Sequence, residues 1–228
     1  MKNLILLLTM IFGYSFETYS AHEKIQIYGK HNGHNTHVTI AAMGELPLAT
    51  FSITGTLNGS SLNLNIINTI DRIAFMGNLN SMPVSMTSFK KKDRLSLMGR
   101  VNNSQSNLSL KFNKFKTNFS GFYSGHNTSL RINHNNDQNS LNGYFNGDLA
   151  NLNVFKRDNA LVLDGYLHGY WTDLVIRLDG KNYNVTGMFG GERTSLKITK
   201  ADHFNISDIF EFLLLDFFIP EYNLIRFN

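Results

Sequence analysis

Residues 143–164 read GYFNGDLANLNVFKRDNALVLD, and the next stretch, from Gly165, reads GYLHGYWTDLVIRLDGKNYNVT. Numbered from the glycine, apolar residues fall at positions 3, 10, 12, 19 and 21 and often at 14. Two runs of period-2 alternation separated by turn residues are the signature of two short strands, here of about seven residues each. The glycine recurs every 22 residues at Gly55, Gly77, Gly99, Gly121, Gly143, Gly165 and Gly187 without insertion or deletion. Gly29 extends the series by one unit, with four extra residues around Met43 to Ala49, so the chain holds eight units. A fixed period of this length marks a repeat architecture, and the expected class is all-β.

Positions 4 and 5 are Asn32-Gly33, Asn58-Gly59 and Asn146-Gly147, with Ser124-Gly125, His168-Gly169 and Gly190-Gly191 as variants. Asn-Gly between alternating apolar runs specifies a tight hairpin, because both central residues of a type I′ turn need positive φ. With that turn, position 3 opposes 6 and position 1 opposes 8. A second turn at positions 15 and 16, clearest at Asp179-Gly180, would place 10 beside 21 and 12 beside 19. Leu174 is then expected to neighbour Val185 and Leu163, and Ile176 to neighbour Tyr183 and Leu161. These two turns give hairpins with no net stagger, whereas a closed barrel needs accumulated shear. The expectation is therefore an open, twisted or curled antiparallel meander of about sixteen strands. A solenoid of strand–arch–strand units also suits the indel-free period, but Asn-Gly and Asp-Gly favour hairpins over arches. A membrane barrel suits less well, since its outward face is apolar and its segments run to about ten residues.

The chain divides into an export signal at 1–20, a repeat domain at 21–205 and a C-terminal segment at 206–228. Lys2, the apolar run Leu4 to Phe12 and small residues at Thr18 and Ser20 have the order of a secretory signal. Export would place the protein in a periplasm, at a cell surface or outside the cell. With no cysteine among its 228 residues, the chain relies on its core and strand ladders rather than on disulfides. Ser207 can cap a helix reaching Phe218 and ended by Pro220, apolar almost all round. A helix of that kind would cover the apolar face or an otherwise unpaired sheet edge.

Chemistry is sparse. No Gly-x-Ser-x-Gly elbow is present, and the absence of cysteine removes thiol nucleophiles. One carboxylate pair, Asp164 and Asp173, faces across a hairpin on the outward side, where a flat sheet lacks the water-excluding pocket that acid-base chemistry exploits. The expectation is a protein without enzymatic activity and without a cofactor. The cluster His31 to His37 places His31 opposite His34, but two ligands are fewer than a zinc site takes, so solvated turn histidines and no metal are expected.

Two outward features suggest binding. Positions 2 and 7 form a row of Phe122, Asn127, Tyr144, Leu149, Tyr166, Trp171, Met188 and Arg193. Asn and Asp residues, including Asp164 and Asp173, lie in the adjacent row. Ring faces beside fixed hydrogen-bonding groups suit a saccharide, while aromatics of this kind also stabilise sheets as cross-strand pairs. At the opposite turn, positions 13 to 18 carry twelve of the twenty-one Lys and Arg, among them Lys90, Lys91, Lys92, Arg94, Lys114 and Lys116. Such a rim attracts anionic polymers or lipid headgroups and can also guard against aggregation. The expected partner is an envelope polysaccharide or another surface component, bound through Phe122, Tyr144, Tyr166, Trp171, Asp164 and Asp173. Membrane-surface contact and self-association are the other contacts the pattern allows, and nucleic acid is not expected outside the cytoplasm. A second functional reading is a carrier holding a lipid on the apolar face, and a third is edge-to-edge assembly.

In outline the pattern resembles membrane occupation and recognition nexus repeats, which are stacked hairpins of similar length, and curlin repeats, which alternate two short strands. The glycine and tyrosine pattern of the first does not match position by position. The second carries Gln and Asn where this chain has Leu and Ile. Neither resemblance supplies a function.

Overall fold

The computed structural model describes residues 24–199, apart from 44–49, 70–71, 92–93, 114–115, 135–137, 146, 159 and 168. Sixteen strands of eight to ten residues, slightly longer than expected, run through this region two per repeat. The first three repeats supply β1 (Lys24–His31), β2 (His34–Met43), β3 (Thr50–Leu57), β4 (Ser60–Asn68), β5 (Arg72–Leu79) and β6 (Met82–Lys91). The next three supply β7 (Arg94–Val101), β8 (Ser104–Asn113), β9 (Lys116–Tyr123), β10 (His126–His134), β11 (Gln138–Phe145) and β12 (Asp148–Arg157). The last two supply β13 (Ala160–Leu167), β14 (Tyr170–Asp179), β15 (Asn182–Phe189) and β16 (Glu192–Thr199). Each strand pairs antiparallel with its sequence neighbours, and β16 pairs with β1, so the sheet is a closed barrel.

The hairpin reading and the assignment of faces hold. The turn residues Asn32 and Gly33 have φ of 51° and 80°, and Asn58 and Gly59 have φ of 54° and 78°; positive φ at both centres is the type I′ requirement. Glycine opposes position 8 in every repeat, for example Gly165 with Thr172 and Gly187 with Thr194. Positions 10, 12, 19 and 21 point inward: Leu174 at 10, Ile176 at 12 and Leu163 and Val185 at 21 are 0 % exposed, and Tyr183 at 19 is 5 % exposed.

The second turn sits one residue further along than expected, and this converts the open sheet into a barrel. Asp179 pairs with Asn182, leaving Gly180 and Lys181 as the loop. Gly180 has φ of 57°, and Lys181 is not among the residues of positive φ, the φ signature of a type II′ turn with glycine first. Moving the turn by one residue moves the register by two without changing any face. Leu174 therefore opposes Gly187 rather than Val185, and Ile176 opposes Val185 rather than Tyr183, whose partner is Leu178. The pairings of Leu174 with Leu163 and Ile176 with Leu161 are as expected. The same position-10-to-glycine pairing recurs at every junction, including the closing one, where Leu196 opposes Gly29.

Each repeat thus adds a stagger of two residues, and eight repeats accumulate a shear of sixteen, equal to the number of strands. Equal shear and strand number give a tilt of about 36°, as in eight-stranded barrels of shear eight. The strand–arch–strand solenoid is overturned by the same pairings. Closure also leaves no unpaired edge for a C-terminal helix to cover. That helix, like the signal at 1–20, lies outside the described residues.

An empty barrel of sixteen strands would be wide enough for water to fill. The near-zero exposure of the inward Leu, Ile, Val and Phe residues shows instead a dry interior around one continuous core. Outward positions are mainly Asn, Ser and Thr, as at Asn63, Asn107, Ser120 and Ser129. This polarity is the reverse of a lipid-embedded barrel, which is apolar outside. No described helix is long and apolar enough to cross a membrane.

At four of the eight repeats a hydroxyl at position 8 ties one repeat to the next. Thr172 Oγ1 accepts from the Gly190 N–H at 3.1 Å, Thr36 Oγ1 from Asn58 N–H at 3.1 Å and Ser106 Oγ from Ser124 N–H at 2.9 Å. At the seam, Thr194 Oγ1 accepts from Asn32 N–H at 3.0 Å. Thr172 and Gly190 are both buried, so Thr172→Val removes the acceptor and leaves a shielded N–H. Denaturant titration is expected to show a loss of about 1 to 2 kcal/mol, recovered largely by Thr172→Ser.

Candidate functional site: the outward aromatic and cationic faces

The aromatic face is built by the alternation itself. Position 2 follows the glycine and projects outward on each odd strand, and position 7 lies opposite it across the type I′ hairpin. Phe122 thus opposes Asn127, Tyr144 opposes Leu149, Tyr166 opposes Trp171 and Met188 opposes Arg193. Phe122, Tyr144, Tyr166 and Trp171 are 54 %, 56 %, 46 % and 44 % exposed. Sequence position had predicted this exposure; the two-residue stagger changes what lies beside each pair.

Between repeats, position 2 neighbours position 9 of the preceding unit rather than its position 7. Tyr144 opposes Ser129, Tyr166 opposes Asn151 and Phe122 opposes Asn107. The aromatic row is therefore interrupted: each position-2 ring stands next to a polar residue of the previous repeat. Hydrogen-bonding groups lie directly beside the rings instead of in a separate parallel row. Tyr166 and Trp171 meet edge to face, with centroids 5.1 Å apart and planes at 77°. This geometry stabilises the hairpin by about 0.5 to 1.5 kcal/mol, so the two rings serve the sheet as well as the surface.

Asp164 and Asp173 oppose each other across β13 and β14 as expected, Asp164 half-buried and Asp173 exposed. Asp173 next opposes Met188, which lies between it and Arg193.

On the opposite rim, Arg94 begins β7 and pairs with Lys91 near the end of β6, and Lys116 begins β9. Lys90 lies beside Lys91 in β6 and pairs with Leu95. Lys92 and Lys114 lie outside the described residues. Lys111, opposite Arg94, extends the cationic group onto the barrel wall.

The histidine expectation needs correction. His31 and His34 do pair, and His34 and His37 are exposed, but His31 is fully buried. Its Nδ1 lies 3.1 Å from Thr194 Oγ1, and its ring centroid lies 4.7 Å from that of Phe189. His31 occupies position 3, the inward column that holds Tyr123 and Phe145, whose centroids are 5.0 Å apart. Burial in that column pushes the Tyr123 phenol well above its ordinary range, keeping it neutral. His31 packs the closing seam between β1 and β16. Among the described residues, no group of three or more His, Asp or Glu is placed to hold a metal ion.

Sequence reasoning missed the position-8 hydroxyls and the role of His31. Position 3 holds Leu57, Leu79, Val101, Tyr123, Phe145, Leu167 and Phe189 in the other repeats, and that column was the signal that His31 is inward. Comparison with protein families, curated proteins and solved structures finds no match, so the functional argument rests on this surface alone.

Proposed function

We propose that this chain is an exported protein, periplasmic, at the cell surface or extracellular, that binds a saccharide component of an envelope through the outward face of repeats 5 to 8. The reading is supported above all by one observation: four large aromatic side chains, Phe122, Tyr144, Tyr166 and Trp171, stand about half-exposed on β9 to β14 beside Asn107, Ser129 and Asn151. Exposed apolar side chains also occur elsewhere on the wall, at Tyr28, Met76, Phe89 and Met98, but β9 to β14 carry the aromatic rings set beside polar partners, the combination that suits an interaction site. The polar neighbours of those rings favour a ligand carrying both C–H faces and hydroxyls. The role is binding rather than catalysis, because the face is convex and open to water and its one carboxylate pair is not enclosed.

Closure of the barrel removes the free edge that assembly by strand pairing requires, which weighs against a filament. The dry interior weighs against a lipid carrier, which needs room beside the apolar face.

The test is retention of the purified chain on isolated cell-wall or surface polysaccharide. Replacing Tyr166 and Trp171 together with Ser is expected to cost about 1 kcal/mol of stability, the worth of their ring pair, while retention falls at least about tenfold. Unchanged retention by the double variant, or no retention of the wild type on any envelope polysaccharide, would count against the reading. Loss by added salt together with unchanged retention of the double variant would shift the site to the cationic rim.

A further inference from the structure

The observed register places cations and aromatics on one continuous outward row. Arg94 opposes Lys111, Lys111 opposes Asn118 and Asn118 opposes Arg131. From Arg131 the row continues through Asn142 and Asn151 to Tyr166 and Trp171. It crosses eight of the sixteen strands, β7 to β14, and so runs halfway round the barrel. At about 4.8 Å per strand its length is about 34 Å. Arg94, Lys111, Arg131, Asn151, Tyr166 and Trp171 are exposed along it.

Among the described residues, no carboxylate is paired with a charge on this row. Arg94 and Lys111 sit directly opposite each other, an arrangement that destabilises an isolated sheet. No acidic residue lies on the row. Two residues along their strands, the described outward neighbours of these cations include Ser96, Ser109, Ser129, Asn133 and none with a carboxylate. A local rule broken with no compensating contact among the described residues points to a functional surface.

We propose that the ligand is an acidic polysaccharide, a chain of carboxylate-bearing sugars laid along this row, with Arg94, Lys111 and Arg131 pairing its carboxylates and Tyr166 and Trp171 stacking on its rings. The amides of Asn142 and Asn151 lie between them, at the place where hydroxyls would pass. Arginine matches a carboxylate with two parallel donors, and the row sets its cations on β7 to β10 and its rings on β13 and β14, with amides between them. This deepens the saccharide reading above and rests on it.

The experiment uses the full chain, with alginate as the acidic polymer and carboxyl-reduced alginate as its neutral counterpart. Wild type is expected to bind alginate at least tenfold more tightly than the reduced polymer, with the advantage shrinking as salt rises. The triple variant Arg94→Gln, Lys111→Gln, Arg131→Gln should lose that tenfold preference, whereas Lys197→Gln, an exposed cation on another face, should keep it. Circular dichroism and the melting midpoint confirm that each variant is folded. Equal binding of both polymers by wild type would overturn the acidic assignment and leave the saccharide reading standing. Binding to neither polymer would remove both. Equal loss in Lys197→Gln would show general charge attraction and overturn the row. Vesicles of phosphatidylglycerol form the last arm: wild-type binding to them without binding to alginate would overturn the polymer in favour of a lipid surface.

Discussion

Replacing Gly165 with alanine is expected to cost about 3 to 5 kcal/mol and to abolish cooperative folding if the native barrel is only marginally stable. Gly165 has φ of +144°, in a region essentially closed to residues bearing a Cβ. A Cβ built there would fall onto the backbone carbonyl oxygen of Asn151 on the neighbouring strand and come within 3.0 Å of Leu152 Cα. Neither atom belongs to a side chain that can swing aside. The same glycine position bends every odd strand at one height of the barrel, and glycine kinks are how sheets acquire the curvature that closure needs. Gly169 provides the comparison: with φ of +76° and nothing within 4 Å of its missing Cβ, Gly169→Ala should cost only about 1 to 2 kcal/mol. Equal denaturation midpoints for the two variants would mean that the glycine ring marks the repeat without shaping the barrel.

A comparable effect is expected from Leu196→Asp at the seam. Leu196 is 3 % exposed and lies between Val185 on β15 and Gly29 on β1. A carboxylate there has no cation beside it in those pairings, and burying it unpaired costs several kcal/mol. The least costly escape is to open the junction between β1 and β16, which turns a barrel into a sheet with two edges. Unpaired edges recruit other chains, so the variant should bind hydrophobic dyes and associate in light scattering. Lys197→Asp, one residue away on the outer face, should change stability by less than about 0.5 kcal/mol. A monomeric Leu196→Asp with an unchanged midpoint would argue that the seam carries no structural weight.

Much of the fold was legible because its signals are local. Asn32-Gly33 and Asn58-Gly59 announce a turn whose backbone few other pairs adopt, and the alternation around Leu174 and Ile176 announces which side is dry. The stagger was not legible for a definite reason. Asp179-Gly180 and Gly180-Lys181 both make credible hairpin turns, and the choice between them shifts the register by two residues. A two-residue shift preserves every face, so periodicity is blind to it. Its consequence appears only when eight repeats have accumulated it and Leu196 arrives opposite Gly29.

The surface was half legible for the same reason. Partners across the type I′ turn, such as Tyr166 and Trp171 or Asp164 and Asp173, followed from the sequence. Partners across the second turn did not, and so the row from Arg94 to Trp171 is a product of the stagger. His31 could have been placed by its column; reading it as part of a histidine cluster obscured that its inward neighbours are Phe189 and Thr194.

The central claim is that β1 and β16 meet, and the chain's lack of native cysteine makes it directly testable. Lys30 and Ser195 are exposed outward partners across the seam, where opposed Cα atoms lie about 4.5 to 5.5 Å apart. In the double variant Lys30→Cys, Ser195→Cys, a short bifunctional thiol reagent should link the two cysteines within one monomer at dilute protein, giving a faster-migrating band on denaturing gels in near-complete yield. In an open sheet of sixteen strands the same positions would stand about 70 Å apart. Absence of the intramolecular link from a folded, monomeric double variant would contradict the closed barrel, and with it the shear, the seam and the row of outward residues that depends on them.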